Sequence, residues 1–260
     1  MDLQLKGRRA IVTGGSKGLG AAIAKELLAE GATVAICARN REELEAKAQE
    51  LRQGGGQVVA AVADVTKADE VDGFVAHAVA ELGGLDVLVN NAGRARPGSF
   101  ATLTDADFQE DLEVKLFSQM RCSRAALPHL RAAGGGAIIN INAIYGRQPD
   151  PSFFATTVDR AACLAFNKAL ALEVAREGIL VNSVNIGFVR TPQWRNIHQR
   201  RAPQLSEEEF LAQTAAAEVP MGRFGEADEV SGLVAFLASS RASYITGASI
   251  DVGGGMGRYV

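Results

Sequence analysis

The stretch Thr13-Gly14-Gly15-Ser16-Lys17-Gly18-Leu19-Gly20 decides how the rest of the chain is read. The apolar run Ala10-Ile11-Val12 before it has the character of a buried parallel strand, and Ala21 to Leu28 after it keeps helical spacing as far as Gly31. A glycine turn between a strand and a helix lets backbone N–H groups and the positive end of the helix approach a phosphate. Glycine also serves tight turns that bind nothing, so the pattern takes its meaning from the strand and helix beside it.

Outward from this turn, short apolar runs alternate with helical patterns. Strands are predicted at Arg9–Val12, Thr33–Cys37, Val58–Val62, Leu85–Val89, Ala137–Ile141, Leu180–Val184 and Ser249–Val252. Helices are predicted at Gly18–Glu30, Arg41–Arg52, Lys67–Leu82, Asp111–Arg131, Ser152–Arg176 and Ala227–Ala238. This alternation predicts an α/β fold: a Rossmann-like, doubly wound parallel sheet of about seven strands with helices on both faces. Ligands would then lie beyond the strand C-termini, near the topological switch. Gly54-Gly55-Gly56 and Gly134-Gly135-Gly136 read as helix-to-strand turns. No linker divides the chain, so residues 1–260 are expected to form one domain. The polar stretch 193–217 is a lid candidate.

Composition narrows the function. The 260 residues are 47% hydrophobic, enough for one large core, and the net charge of −3 argues against nucleic acid. The N-terminus has no basic-then-apolar targeting pattern, and no apolar stretch is long enough to span a bilayer. Cys37, Cys122 and Cys163 stand far apart among apolar residues, which suits reduced core side chains in a cytoplasmic protein. No metal site is expected, and no membrane partner.

Several further motifs join the glycine turn: Asp64-Val65, Asn90-Asn91-Ala92-Gly93, Val181-Asn182, Thr191-Pro192 and Asp251-Val252-Gly253-Gly254. Together, over roughly Leu5 to Val252, they resemble the short-chain dehydrogenase/reductase family. The resemblance implies an oxidoreductase with a bound dinucleotide, assembled as a homodimer or homotetramer. Ala125, Ala126, Ala161, Ala162 and Ala165 would supply small residues for packing between subunits. It further implies cofactor contacts from Gly14, Ser16, Lys17, Gly18, Leu19, Gly20, Arg39, Asp64, Val65, Asn91, Ala92, Gly93, Arg160, Gly187, Val189 and Thr191. Asp64 would meet the adenine amine and Thr191 the nicotinamide carboxamide.

The dinucleotide type follows from charge. Enzymes that use NAD place a carboxylate after the second strand to accept from the ribose 2′-OH. This chain has Ala38 there, then Arg39-Asn40-Arg41, and Lys17 adds a second positive charge. A guanidinium attracts a 2′-phosphate that a carboxylate would repel, so NADP is expected over NAD.

The chemistry departs from the family's pattern. Its tyrosine position falls at Thr156, its lysine at Arg160, its serine at Ala143 and its helix asparagine at Lys115. Threonine lacks a phenol's acidity, arginine does not give up its proton, and alanine cannot hydrogen-bond a carbonyl. Lys115 and Tyr145 are the substitute candidates, with Lys115 partly desolvated beside Arg160. A plainer alternative pairs Lys115 with Glu113 or Asp111 and leaves Tyr145 as a rim aromatic. Arg94, Arg96, Arg147, Arg195, Arg200 and Arg201 bias the mouth towards an anionic substrate, with Trp194 and His198 in the lid candidate. The expectation is an NADP(H)-dependent oxidoreductase of a small carbonyl or alcohol with a non-standard proton relay. The alternatives are a non-redox enzyme (lyase, hydrolase or isomerase) on the same scaffold, or a silent NADP-binding subunit.

Overall fold

Strands rich in Val, Ile and Ala on both faces can be buried only between two helical layers. The computed structural model describes residues 2–259. Its strands are Arg9–Thr13 (β1), Thr33–Ala38 (β2), Val58–Val62 (β3), Val87–Asn90 (β4), Gly136–Ala143 (β5), Ile179–Ile186 (β6) and Ser249–Val252 (β7). They form one sheet in the order β3-β2-β1-β4-β5-β6-β7, with every pairing parallel. Because β1 pairs with β2 on one side and β4 on the other, the loops after β1 and β4 part in opposite directions. A cleft opens between them.

The helices are Gly18–Ala29 (α1), Arg41–Gln53 (α2), Ala68–Leu82 (α3), Asp105–Leu112 (α4), Ser118–Ala132 (α5), Phe154–Val174 (α6), Pro192–Arg201 (α7), Glu207–Glu218 (α8) and Ala227–Ala238 (α9). On one face Leu19, Ile23 and Leu27 of α1 meet Val230 and Val234 of α9 over Val12, Val34 and Val89. On the other, Phe74 and Val75 of α3, Cys122 and Leu130 of α5, and Leu170 and Val174 of α6 cover Ile11, Leu88 and Ile138. The three cysteines are buried free thiols, as expected. Among the described residues no helix is long and apolar enough to cross a membrane.

Two expectations, a helix start and an interface residue, need correction. The helix predicted to begin at Asp111 begins at Asp105, because Thr104 accepts from the Asp107 N–H while the Asp107 side chain accepts from the Thr104 N–H. It then passes through a π turn, Glu113–Phe117, before continuing as α5. The stretch 193–217 is two helices that enclose a small core of Trp194, Ile197, Phe210, Leu211 and Ala215. Ala126 packs inside the subunit's own core with no exposure, so it is not available to a neighbouring chain.

The turn after β1 brings backbone against backbone. A Cβ at Gly20 would overlap the Gly14 carbonyl oxygen and the Asn91 amide. Gly20→Ala should therefore lower stability by ~1–3 kcal/mol through overpacking, read as a lower thermal midpoint.

Candidate active site

A cavity of about 780 Å³ occupies the cleft at the C-terminal end of the sheet. Every residue expected at the dinucleotide site lines it: Gly14, Ser16 to Gly20, Arg39, Asp64, Val65, Asn91 to Gly93, Arg160, Gly187, Val189 and Thr191. Thr156 and Tyr145 line it too; Lys115 does not. The loops after β1 and β4 are clasped by two side chains. Thr13 Oγ1 accepts from the N–H groups of Asn91 and Ala92, each at 3.0 Å, and Asn91 Nδ2 donates to the Thr13 carbonyl at 2.9 Å. Gly14 and Gly18 have φ of 68° and 55°, conformations that favour glycine, and α1 begins at Gly18 with its N–H groups facing the cavity mouth.

The charges around this end differ from expectation. Lys17 Nζ pairs with Glu43 at 2.8 Å, so it is not the second free cation that the sequence suggests. Arg39 is exposed at the end of β2, with no carboxylate in ion-pair contact among the described residues. Asp64 Oδ1 accepts from the N–H and the hydroxyl of Thr66 at 3.0 and 2.8 Å. Partial burial works against its ionisation, yet the Thr66 bonds and the Arg39 and Lys67 charges hold its pKa below the ordinary value.

The departures from the family's pattern meet at the start of α6. Lys115 has no exposure, and its ammonium pairs with Asp111 one turn earlier. It also donates to Thr156 Oγ1 at 2.8 Å. The π turn places Lys115 where it can do both. Thr156 Oγ1 also accepts from the Arg96 N–H at 3.4 Å. A hydroxyl has two lone pairs and one proton, so with both lone pairs engaged the Thr156 O–H stays free to donate, and Thr156 lines the cavity.

Arg160 follows one turn along α6. Its Nη1 donates to the Ile141 carbonyl at 3.0 Å and to Asn142 Oδ1 at 3.1 Å. A Cβ on Gly93 would lie 3.2 Å from Arg160 Nη2, so the glycine gives the guanidinium its approach. Burial, reinforced by the Arg160 charge, lowers the Lys115 pKa to about 8 even though Asp111 opposes the shift.

Lys115 therefore does not project into the cavity as expected; it reaches it only through the Thr156 hydroxyl. Tyr145 lines the wall, stacked on Phe153 with centroids 5.1 Å apart. Burial pushes its phenol pKa up, with Asp150 and Glu218 adding to the shift, which makes it a poor proton donor. The positive mouth is neutralised in part. Arg94 pairs with Glu110, Arg96 with Asp107 and Glu110, and Arg195 with Glu207. Arg147 lies 4.0 Å over the Tyr259 ring, and Arg201 lies 5.2 Å over the Phe153 ring. His198 Nε2 bonds the Leu205 carbonyl at 2.8 Å, closing the turn between α7 and α8, and does no work in the cavity. What faces the cavity beside Thr156 is mostly apolar: Val114, Ile144, Tyr145, Phe153, Phe188, Trp194 and Ile197.

Sequence reasoning missed Asp159. It sits on α6 between Thr156 and Arg160, fully buried and packed near Asp111. An acid directly before Arg160 in a helix of Ala, Leu and Cys was the signal that could have found it.

A family profile described as enoyl-(acyl carrier protein) reductase matches residues 14–257. An uncharacterized oxidoreductase of Mycobacterium tuberculosis (strain CDC 1551 / Oshkosh) is 38% identical over 252 residues, covering 96% of this chain and 97% of that protein. The structure is similar to L-sorbose reductase from Gluconobacter frateurii complexed with NADPH and L-sorbose, with a TM-score of 0.95, 33% identity and full coverage of both chains. It is also similar to an NADPH-bound short chain oxidoreductase from Pseudomonas aeruginosa PAO1 containing an atypical catalytic center. There the TM-score is 0.90 and the identity 39%, over 96% of this chain and 97% of that one.

The buried pair makes a stability prediction. Asp111→Asn would leave the Lys115 ammonium beside Arg160 without its counter-charge and should cost ~3–5 kcal/mol, read as a fall in the urea midpoint.

Proposed function

The chain belongs to the short-chain dehydrogenase/reductase family of oxidoreductases, and from that premise we propose that it is an NADP(H)-dependent carbonyl or alcohol oxidoreductase with a rebuilt proton relay. The observation that supports this reading is the Thr156 hydroxyl, held by Lys115 and Arg96 at the cavity wall with its proton free to donate. In this family's arrangement the usual acid would be a tyrosine with a lysine four residues later; this chain has Thr156 and Arg160 instead.

The residues present fit the dinucleotide. A side chain at Gly14 would crowd Ala92 and Asn91, so the turn keeps backbone surface open for a pyrophosphate, and the start of α1 supplies N–H donors. Arg39, with Ala38 before it, suits a 2′-phosphate. Gly187, Val189 and Thr191, which line the cavity, would hold the nicotinamide end, and Arg160 would meet the adjoining ribose. When bound, NADPH supplies a hydride to the substrate carbon.

The chain's own residues then manage the proton. Thr156 donates its hydroxyl proton to the substrate oxygen. The threonine oxygen is stabilised as it loses that proton by the Lys115 ammonium and by its place in the first turn of α6. Lys115 returns a proton to Thr156, a transfer suited to an amine poised near neutrality. Arg160 keeps its charge throughout and orients the neighbouring loop through Ile141 and Asn142.

Trp194, Phe188, Phe153 and Tyr145 give the substrate an apolar wall, with α7 and α8 as the lid. Because Arg94, Arg96 and Arg195 are held by Glu110, Asp107 and Glu207 and the wall beside Thr156 is mostly apolar, a neutral carbonyl compound fits better than an anion. Assembly is a homodimer or homotetramer, with Val158, Ala161 and Ala165 exposed on α6 for packing between subunits.

Two experiments test the reading. Thr156→Val, which keeps the shape and removes the hydroxyl, should lower kcat by ~10²-fold or more in a carbonyl panel with NADPH. Full turnover in that variant would remove Thr156 from the relay. Titration of the single tryptophan, Trp194, with each dinucleotide should show tighter binding of NADPH than NADH. Arg39→Asp should reverse that order.

A further inference from the structure

Asp159 is the one buried acid the relay above leaves unexplained. Neither of its carboxyl oxygens receives an N–H or O–H from any partner among the described residues, and Asp111 Oδ1 is likewise without a donor. Ionised carboxylates left so in a dry interior are strongly disfavoured. The Asp159 and Asp111 carboxyls lie within hydrogen-bonding reach of each other, and two carboxyls can bond only through a proton that one of them carries. Asp111 holds the Lys115 ammonium on its other oxygen and stays ionised. The proton therefore rests on Asp159.

We propose that Asp159 is the proton store of this site, a positioning residue that recharges Lys115 through Asp111. The inference rests on the oxidoreductase reading. The hydrogen bonds form one line: Asp159 O–H to Asp111 Oδ1, Lys115 Nζ to Asp111 Oδ2, and Lys115 Nζ to Thr156 Oγ1, with the Thr156 O–H free to donate at the cavity wall. In a reduction the Thr156 O–H bond breaks and an O–H bond forms on the substrate, while Lys115 gives a proton to Thr156. Asp111 takes a proton from Asp159 on Oδ1, its carboxyl turns about the Cβ–Cγ bond, and that same proton passes to Lys115. One proton has left Asp159 and one has reached the substrate. The electron pair would come with the hydride that bound NADPH supplies, and after product release a proton from the cavity would return along the same line through Thr156 to Asp159.

The groups that bear on this store come from four elements: Asp111 from α4, Lys115 from the π turn, Arg160 and Cys163 from α6, and Arg96 from the loop after β4. Arg96 Nε stands 3.9 Å from Asp111 Oδ1. Burial raises the Asp159 pKa to about 8, with Asp111 adding to the shift and Lys115 and Arg160 opposing it. Burial lowers the Lys115 pKa and raises that of Asp159, so the two shift towards each other.

The test is infrared spectroscopy of the NADPH-loaded protein combined with kinetics. At neutral pH the wild type should show a protonated carboxyl C=O band that ordinary aspartates lack, and Asp159→Asn should lose it. That variant keeps an N–H donor for Asp111 but no transferable proton. Its kcat should fall by between ~10-fold and ~10²-fold, with KM within about twofold. Asp159→Ser serves as a second variant should the first not fold, and the wild-type band needs no variant at all. Absence of the band would overturn the store, since both carboxyls would then be ionised. A band together with full turnover in the variants would overturn the relay. A band with no turnover on any carbonyl substrate would instead overturn the oxidoreductase reading, and the relay with it.

Discussion

An ammonium group without any contact with water must find opposite charge and hydrogen-bond acceptors inside the protein, and Lys115 sets that demand on everything around it. Asp111 supplies the charge from the preceding turn, and the Thr156 hydroxyl supplies an acceptor from another helix. Meeting both requires the π turn at Glu113–Phe117 and fixes the start of α6 against α4. The same demand leaves the Thr156 hydroxyl with its proton free to donate. One buried charge thus links helix geometry, packing and the chemistry available at the site.

The cleft itself depends on a second layer of polar contacts, along the ends of the parallel strands. Asn90 Nδ2 donates to Asn140 Oδ1 at 2.8 Å, Asn140 to Asn167 of α6 at 2.9 Å, and Asn142 to Ser183 at 2.8 Å. Buried amides this well paired hold strand ends and helix in one register. They place Ala143, Tyr145 and Arg160 around one floor. Sheet registry and site geometry are therefore the same fact seen at two scales.

Charge at the surface behaves differently from charge in the interior. The arginines near the mouth look in the sequence like a basic field, but Glu110, Asp107 and Glu207 come from helices beside them and pair with Arg94, Arg96 and Arg195. The cavity wall beside Thr156 is mostly apolar. Arg39 keeps a different situation: it stands at the end of β2 with open surface before it.

The sequence by itself determined the doubly wound sheet, because strands buried on both faces and helices with one apolar stripe repeat at short range. It also determined the residues of the cofactor cleft, since a glycine turn must sit beside the strand and helix that flank it. Tertiary structure alone decided the depth of Lys115, the nearness of Asp111 to Asp159, and the pairing of Arg94, Arg96 and Arg195 at the mouth. Asp111 and Asp159 lie on different helices, and only their packing makes two carboxyls neighbours. Periodicity along a chain reports which face of an element is apolar. It carries no record of which distant charge that face will meet, and that meeting sets the protonation of this site.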